Sequence, residues 1–345
     1  MTHSFASDNT APVHPEILAA LAAVNEGHSP AYGSDPTTAA LAERVAATFE
    51  RGARTVVVPT GTGANILALN AAAPYGGGVV VADVAHVVAD EAGAPARHGL
   101  TVLTCPTVDG RLTPDAITRW ARDTGNIHHA QPVVVSITQA TELGTVYSPD
   151  DVARLVESAH AAGMLVHMDG ARIANAAVHL GVGLREAVGD VDLLSLGGTK
   201  NGGMGAEAVV TFSDDLASAV RHLHKPNLQL ASKQRYLSAQ LLALLDGDAP
   251  LWERCATSAN ARAAEIAAGL ATPETAATGV AVVAPVEANL LFVRMPQAAA
   301  DRVAREHQAF GTPHDDGTAT VRIVCSWDTT PADASALLAT IREEG

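Results

Sequence analysis

An α/β fold built on a mostly parallel central sheet, with a smaller C-terminal α+β domain, is predicted by two features of the sequence. Short β-branched runs alternate with longer Ala-rich amphipathic stretches through the first two thirds of the chain. After Leu245 the texture changes to a strand-strand-helix-strand-helix series. The 345 residues suit two domains, and 48% of them are hydrophobic, enough for a sizeable core.

The strands are expected at Val56–Pro59, Val79–Ala82, Thr101–Thr104, Val133–Ile137, Leu165–Met168, Leu193–Leu196 and Ala208–Phe212. Their near-continuous apolar character fits strands buried on both faces. Helical periodicity covers Pro36–Arg51, Gly63–Ala73, Val87–His98, Pro114–Asp123, Pro149–Ala162 and Arg172–Leu180. Thr113-Pro114 and Ser148-Pro149 each set a hydroxyl N-cap before a proline at the first helical position. Asp246-Gly247-Asp248-Ala249-Pro250 reads as a turn. It is followed by a helix at Leu251–Leu270, strands at Val280–Val283 and Leu290–Met295, a helix at Ala298–Phe310, a strand at Val321–Ser326 and a last helix at Ala332–Glu343. The expected organisation is an N-terminal arm over 1–15, a large domain over 16–245 and a small domain over 246–345. The arm is polar, lacks periodicity and is expected to become ordered on another surface.

Composition narrows the function classes. With 22 Lys and Arg against 37 Asp and Glu the net charge is −15, which disfavours nucleic acid or an anionic membrane as partner. Cys105, Cys255 and Cys325 lie far apart, which excludes a cysteine zinc cluster and fits a reducing cytoplasm. No metal site is expected. The N-terminus lacks the features of a signal peptide, and no apolar run is long enough to span a membrane. Only three lysines occur, Lys200, Lys225 and Lys233, and the other 19 cationic residues are arginines. A lysine that survives in such a chain is a candidate for amine chemistry, which guanidinium cannot perform.

Lys200 lies in Gly197-Gly198-Thr199-Lys200-Asn201-Gly202, directly after a buried-looking strand. A partly desolvated lysine at a strand end is a good Schiff-base candidate, against the alternative of a solvated loop lysine. Asp169, in His167-Met168-Asp169-Gly170-Ala171-Arg172, ends an earlier strand at the sheet edge where open α/β folds bind ligands. Thr60-Gly61-Thr62-Gly63-Ala64-Asn65 opens a helix whose free N–H groups could hold a phosphate, although the signal is weak by itself. His86 follows the strand Val79–Ala82.

Taken in order, these motifs resemble the low-specificity L-threonine aldolase family, within the aspartate-aminotransferase-like (fold type I) enzymes of pyridoxal 5'-phosphate. The resemblance runs from Phe5-Ala6-Ser7-Asp8-Asn9 through Tyr32-Gly33-Ser34-Asp35, Thr60–Asn65, His86 with Glu91-Ala92-Gly93, Asp169–Arg172 and Gly197–Gly202 to Val321-Arg322-Ile323-Val324. It implies that Lys200 carries the cofactor, that Asp169 pairs with the pyridine nitrogen and that His86 stacks on the ring. It implies Gly61 and Thr62 at the phosphate, with Lys233 as a basic residue reaching a partner subunit's phosphate. Arg172 and Arg322 would bind the substrate carboxylate, with Ser7 and Tyr32 bordering the substrate, Tyr32 from a neighbouring subunit. His128 stands where the family has a second active-site histidine, and His86, His128 or a water is the implied base for the hydroxyl. Ile137-Thr138-Gln139-Ala140-Thr141-Glu142 departs from the more familiar Glu-Asn-Thr version of that wall.

The activity implied is retro-aldol cleavage of L-threonine, L-allo-threonine and related β-hydroxy-α-amino acids to glycine and an aldehyde. A β-eliminating lyase giving keto acid and ammonia is the alternative on the same fold, and a non-catalytic binding protein a third. The implied partners are the small amino-acid substrate and further copies of the chain, as a dimer at least and a tetramer by family habit.

Overall fold

The structure is a computed structural model and describes residues 3–343. Its seven-stranded sheet contains β1 (Arg54–Val58), β2 (Gly78–Ala82), β3 (Thr101–Cys105), β4 (Pro132–Thr138), β5 (Leu165–Gly170), β6 (Leu193–Gly197) and β7 (Glu207–Thr211). Their spatial order is β1-β7-β6-β5-β4-β2-β3, and β7 alone runs antiparallel to its neighbours. Strands β2 and β7 are buried along their whole length, as expected of strands covered on both faces. All seven expected strands form.

A second, antiparallel sheet contains β8 (Ala281–Val282), β9 (Leu290–Pro296), β10 (Gly311–Pro313) and β11 (Thr318–Val324), in the order β10-β11-β9-β8. The helix Leu251–Leu270 links the two cores. Leu251 and Cys255 pack into the large one, whereas Ala263, Ile266 and Leu270 pack into the small one. Among the described residues no helix is long and apolar enough to cross a membrane.

Two local departures matter for the site. The stretch expected as one helix over Val87–His98 is two short helices, His86–Ala89 and Ala94–Arg97, separated by Ala92 and Gly93 at φ of 49° and 74°. Gly93 takes this left-handed conformation without steric cost, and the chain turns there instead of continuing. The N-terminal arm is ordered on its own chain. Phe5 is fully buried in the small core, its N–H donates to the His307 carbonyl at 2.8 Å, and its carbonyl accepts from Val324 at 3.0 Å.

Candidate active site

Strands β1, β2, β4, β5 and β6 all end at one edge of the sheet, and β7 begins there. The candidate residues carried by these ends therefore meet at the carboxyl edge, where open α/β sheets bind ligands. Two cavities lie there. The inner one, about 370 Å³, is lined by Thr60, Gly61, Thr62, Asn65, His86, Asp169, Lys200 and Glu207, among others. The outer one, about 320 Å³, is lined by Ser7, His86, Glu142, Arg172, Lys200 and Arg322, among others. Lys200 and His86 border both.

Lys200 sits in a single 3-10 turn, Thr199–Asn201, directly after β6. The positive charge of Arg172, and then burial, lower its pKa, which favours the nucleophilic neutral amine. The turn is held from β7 by Glu207, whose two oxygens accept from the Gly198 N–H at 3.1 Å and the Thr199 N–H at 3.3 Å. Burial pushes the Glu207 pKa up to about 7. A Cβ added to Gly197 would stand 2.7 Å from the Ala171 backbone. Only glycine lets the lysine strand approach the aspartate strand this closely.

Asp169 ends β5. Its Oδ1 accepts from the Ala171 N–H at 3.0 Å and its Oδ2 from Asn65 Nδ2 at 2.7 Å. Each oxygen keeps a further lone pair for a ligand donor. Asn65 also donates to Glu91 Oε1 at 3.0 Å, and His86 Nδ1 donates to the same oxygen at 3.0 Å. The turn at Ala92-Gly93 thus folds Glu91 beneath His86. The hydrogen bond His86 donates to Glu91 raises the His86 pKa against the opposing effect of burial.

The helix Gly61–Ala72 begins at the far side of the inner cavity. Its N-cap Thr60 accepts from the Gly63 N–H at 3.0 Å, which leaves the N–H groups of Gly61 and Thr62 ahead of the first intrahelical bond. Space around Gly61 is open. Helix N-termini of this kind bind anions. An anion-binding helix start, an amine, an imidazole and a carboxylate therefore surround one cavity. That donor set fits pyridoxal phosphate, with its phosphate, aldehyde, ring face and ring nitrogen.

In the outer cavity Arg172 is held by Asp8, with Nε to Oδ2 at 2.7 Å and Nη2 to Oδ1 at 2.8 Å. Asn289 donates to the same Asp8 carboxylate at 3.1 Å. Burial by itself raises the Asp8 pKa, but the charges of Arg172 and Lys200 overcome it and hold the carboxyl below its usual value. Arg322 enters from β11 of the small domain and donates to the Ala6 carbonyl at 3.3 Å. Ser7 caps the short turn that carries Asp8.

Known proteins match this chain over almost its full length. Residues 4–298 match the family described as "Beta-eliminating lyase". A low specificity L-threonine aldolase of Pseudomonas aeruginosa is 40% identical, covering 95% of this chain and 94% of its own. Another, from a Pseudomonas species, is 38% identical over 99% of this chain and 97% of its own. The chain belongs to the beta-eliminating lyase family. Among solved structures, a threonine aldolase of Leishmania major superposes with a TM-score of 0.92 at 28% identity, covering 99% of this chain and 98% of that one. The aspartate aminotransferase of Thermus thermophilus, at 16% identity and a TM-score of 0.69 over 98% of this chain and 90% of that one, shares the fold alone. The fold is that of the fold-type-I enzymes.

In this member of the family, one chain brings together Lys200, Asp169, His86, Gly61, Thr62, Arg172, Arg322 and Ser7. It does not bring His128, Tyr32 or Lys233 to the same cavities. His128 is exposed in the loop before β4, its N–H donating to Asn126 Oδ1. That loop lies at the amino edge of the sheet, and the seven residues of β4 put roughly 20 Å between it and the carboxyl edge. His128, expected as a second active-site histidine, therefore lies away from Lys200 of its own chain. Tyr32 is exposed, with its N–H on the Ser232 carbonyl and the Lys225 ammonium 5.2 Å from its ring centre. Lys233 is exposed on the same segment. The sequence reading gave no role to Asp8, Asn65, Glu91, Glu142 or Glu207. All five lie inside or beside motifs quoted for the resemblance, and that proximity was their one signal.

Proposed function

We propose that the protein cleaves L-threonine, L-allo-threonine and related β-hydroxy-α-amino acids to glycine and an aldehyde, using pyridoxal 5'-phosphate. The observation that carries this reading is the position of Lys200 between the two cavities, one suited to a phosphorylated ring and one to an amino-acid carboxylate. The Pseudomonas and Leishmania relatives, named as threonine aldolases, support it.

Lys200 would carry the cofactor on its amine. The N–H groups of Gly61 and Thr62 would hold its phosphate, and the Asp169 carboxylate would keep the ring nitrogen protonated. His86 would cover the ring face, its orientation fixed by Glu91. When bound, the cofactor supplies a conjugated ring that takes up the electron pair left at Cα. Arg172 and Arg322 would clamp the substrate carboxylate, Arg172 with Nη1 because Asp8 occupies Nε and Nη2. This clamp would fix the substrate's orientation and so select which bond at Cα is placed to break. Ser7 would border the substrate.

Tyr32, Lys233 and His128 would act across a subunit contact in a homodimer or tetramer, because their own chain keeps them away from the cavities. Three free, buried cysteines support a cytoplasmic setting.

A product assay tests the reading. Purified protein with added cofactor receives L-threonine, L-allo-threonine and L-serine, and glycine, aldehyde, keto acid and ammonia are followed. Glycine with acetaldehyde is expected from L-threonine. Keto acid and ammonia without glycine would move the chain to β-elimination. Lys200→Ala should lose the covalently held cofactor and turnover, and retained turnover would refute the role of Lys200.

A further inference from the structure

We propose that Glu142 is a catalytic residue, the group that takes the proton from the substrate's β-hydroxyl as the Cα–Cβ bond breaks. The proposal rests on the aldol-cleavage reading above and assigns the base that cleavage needs.

Glu142 lines the outer cavity together with Arg172, Arg322, Lys200 and His86. Its Oε1 accepts from the His86 backbone N–H at 2.7 Å and from Thr138 Oγ1 at 3.0 Å. Its Oε2 has no hydrogen-bond partner, although it is shielded from solvent. A shielded carboxylate oxygen without a donor is costly, and such an atom in a cavity wall is explained by a donor that arrives with the ligand. Burial, followed by the charge of Asp169, raises the Glu142 pKa, which brings a carboxylate closer to the range useful for proton transfer.

The other groups that could accept a proton in this cavity are Lys200, His86 and Asp90, and on the reading above the Lys200 amine is the group that carries the cofactor. His86 already donates Nδ1–H to Glu91, and that bond favours its charged form. On the reading above the His86 ring is committed to the cofactor face. Asp90 is exposed at the cavity mouth, where water satisfies it. Glu91 also has an unpartnered oxygen, but it lines neither cavity and acts through His86.

In the step itself, the β-hydroxyl O–H bond breaks and its proton passes to Glu142 Oε2. The O–H electron pair becomes the second bond of the aldehyde carbonyl. The Cα–Cβ pair remains at Cα, where a proton from solvent completes glycine, and Glu142 releases its own proton to solvent.

The test uses the holoenzyme of Glu142→Gln and Glu142→Asp. Three quantities are read: L-threonine cleavage, exchange of the glycine Cα–H for deuterium, and the cofactor dissociation constant by fluorescence. Exchange at glycine involves no hydroxyl, so loss of the hydroxyl base leaves it alone. Glu142→Gln should cleave at least about 100-fold more slowly. Exchange and cofactor affinity should stay within about threefold, because a general base acts only on its own proton. Glu142→Asp keeps a carboxylate and should retain more cleavage than Glu142→Gln. Cleavage within fivefold of wild type in Glu142→Gln, a parallel loss of cleavage and exchange, or equal loss in both variants each overturns the proposal. A wild-type protein that makes no glycine from L-threonine overturns the parent reading with it, whereas an active wild type with an active Glu142→Gln overturns this proposal alone.

Discussion

Replacing Asp8 by Asn tests how the outer cavity is organised. Asp8 is 2% exposed and meets two nitrogens of Arg172 at 2.7 and 2.8 Å. Removing one partner of a fully buried ion pair costs about 3–5 kcal/mol, because a charge is left behind uncompensated. Arg172 borders a cavity and can recover some hydration, so a loss of about 2–3 kcal/mol of folding stability is expected. Asparagine preserves the shape and the contact with Asn289 while removing the charge. With its bond at Nη2 lost, the Arg172 guanidinium no longer presents one fixed edge. KM for L-threonine should rise about tenfold, equivalent to about 1.4 kcal/mol. Saturating glycine, whose carboxylate restores a counter-charge, should raise the melting temperature of the variant more than that of the wild type. The sign with pH follows from the lowered pKa of Asp8. A carboxyl held below its ordinary 3.8 contributes stability above that value and loses it as pH falls through the folded pKa. The gap between wild type and Asp8→Asn should therefore stay constant from about pH 5 to 8. Denaturant unfolding and steady-state kinetics provide the measurements. A stability loss under about 0.5 kcal/mol, the size expected of an exposed pair, combined with an unchanged KM would refute the role given to this pair.

Two further outcomes are expected. In Glu91→Gln the His86 pKa should fall, since the hydrogen bond that raises it is weakened. A raised histidine pKa stabilises fully below the unfolded value of 6.5 and ceases to do so as pH rises through the folded value. The melting-temperature gap to wild type should thus be widest near pH 5.5 and narrow toward pH 8.5, and a gap that widens with pH would contradict this. Gly197→Ala should lose about 1–3 kcal/mol through overpacking and bind the cofactor more weakly, because the new Cβ would press the Lys200 strand away from the Ala171 backbone. Unchanged cofactor affinity on fluorescence titration would show that this close approach is not needed.

Strands β1 to β7 were legible because runs such as Val79–Ala82 and Leu193–Leu196 are apolar on both faces, a pattern that only a covered sheet explains. Lys200 and Asp169 were legible because each ends such a strand. The pairing of Asp8 with Arg172 was not, since it joins residues 164 positions apart and hydrophobic periodicity carries no information about which buried charges meet. Glu91 was hidden inside a stretch with helical periodicity, and the break at Ala92-Gly93 that turns it toward His86 comes from backbone conformation. His128 shows a different limit. A resemblance supplies a residue at a position in the sequence, but its place before a parallel strand puts it at the opposite edge from the cavities, which is a matter of topology.

The cavity walls come from elements of both sheets, and the N-terminal arm ties the two cores together. Phe5 is anchored in the small core beside His307 and Val324, while Asp8 grips Arg172 of the large domain. Further along, the His14 N–H donates to the Gly202 carbonyl at 2.9 Å, just past the Lys200 turn. Arg322, from the small domain, shares the outer cavity with Arg172, and like charges brought together repel unless an anion lies between them. Asp8 partly neutralises this repulsion, and a substrate carboxylate would complete the balance. The groups that dock the small domain on the large one are thus the groups that would recognise substrate. A ligand carboxylate would then favour the docked arrangement by the difference in its affinity for the two. Loosening the arm should in turn weaken substrate binding before it disturbs the cofactor, because Lys200, Asp169 and the helix start at Gly61, which would hold it, all stand on the seven-stranded sheet and its helices.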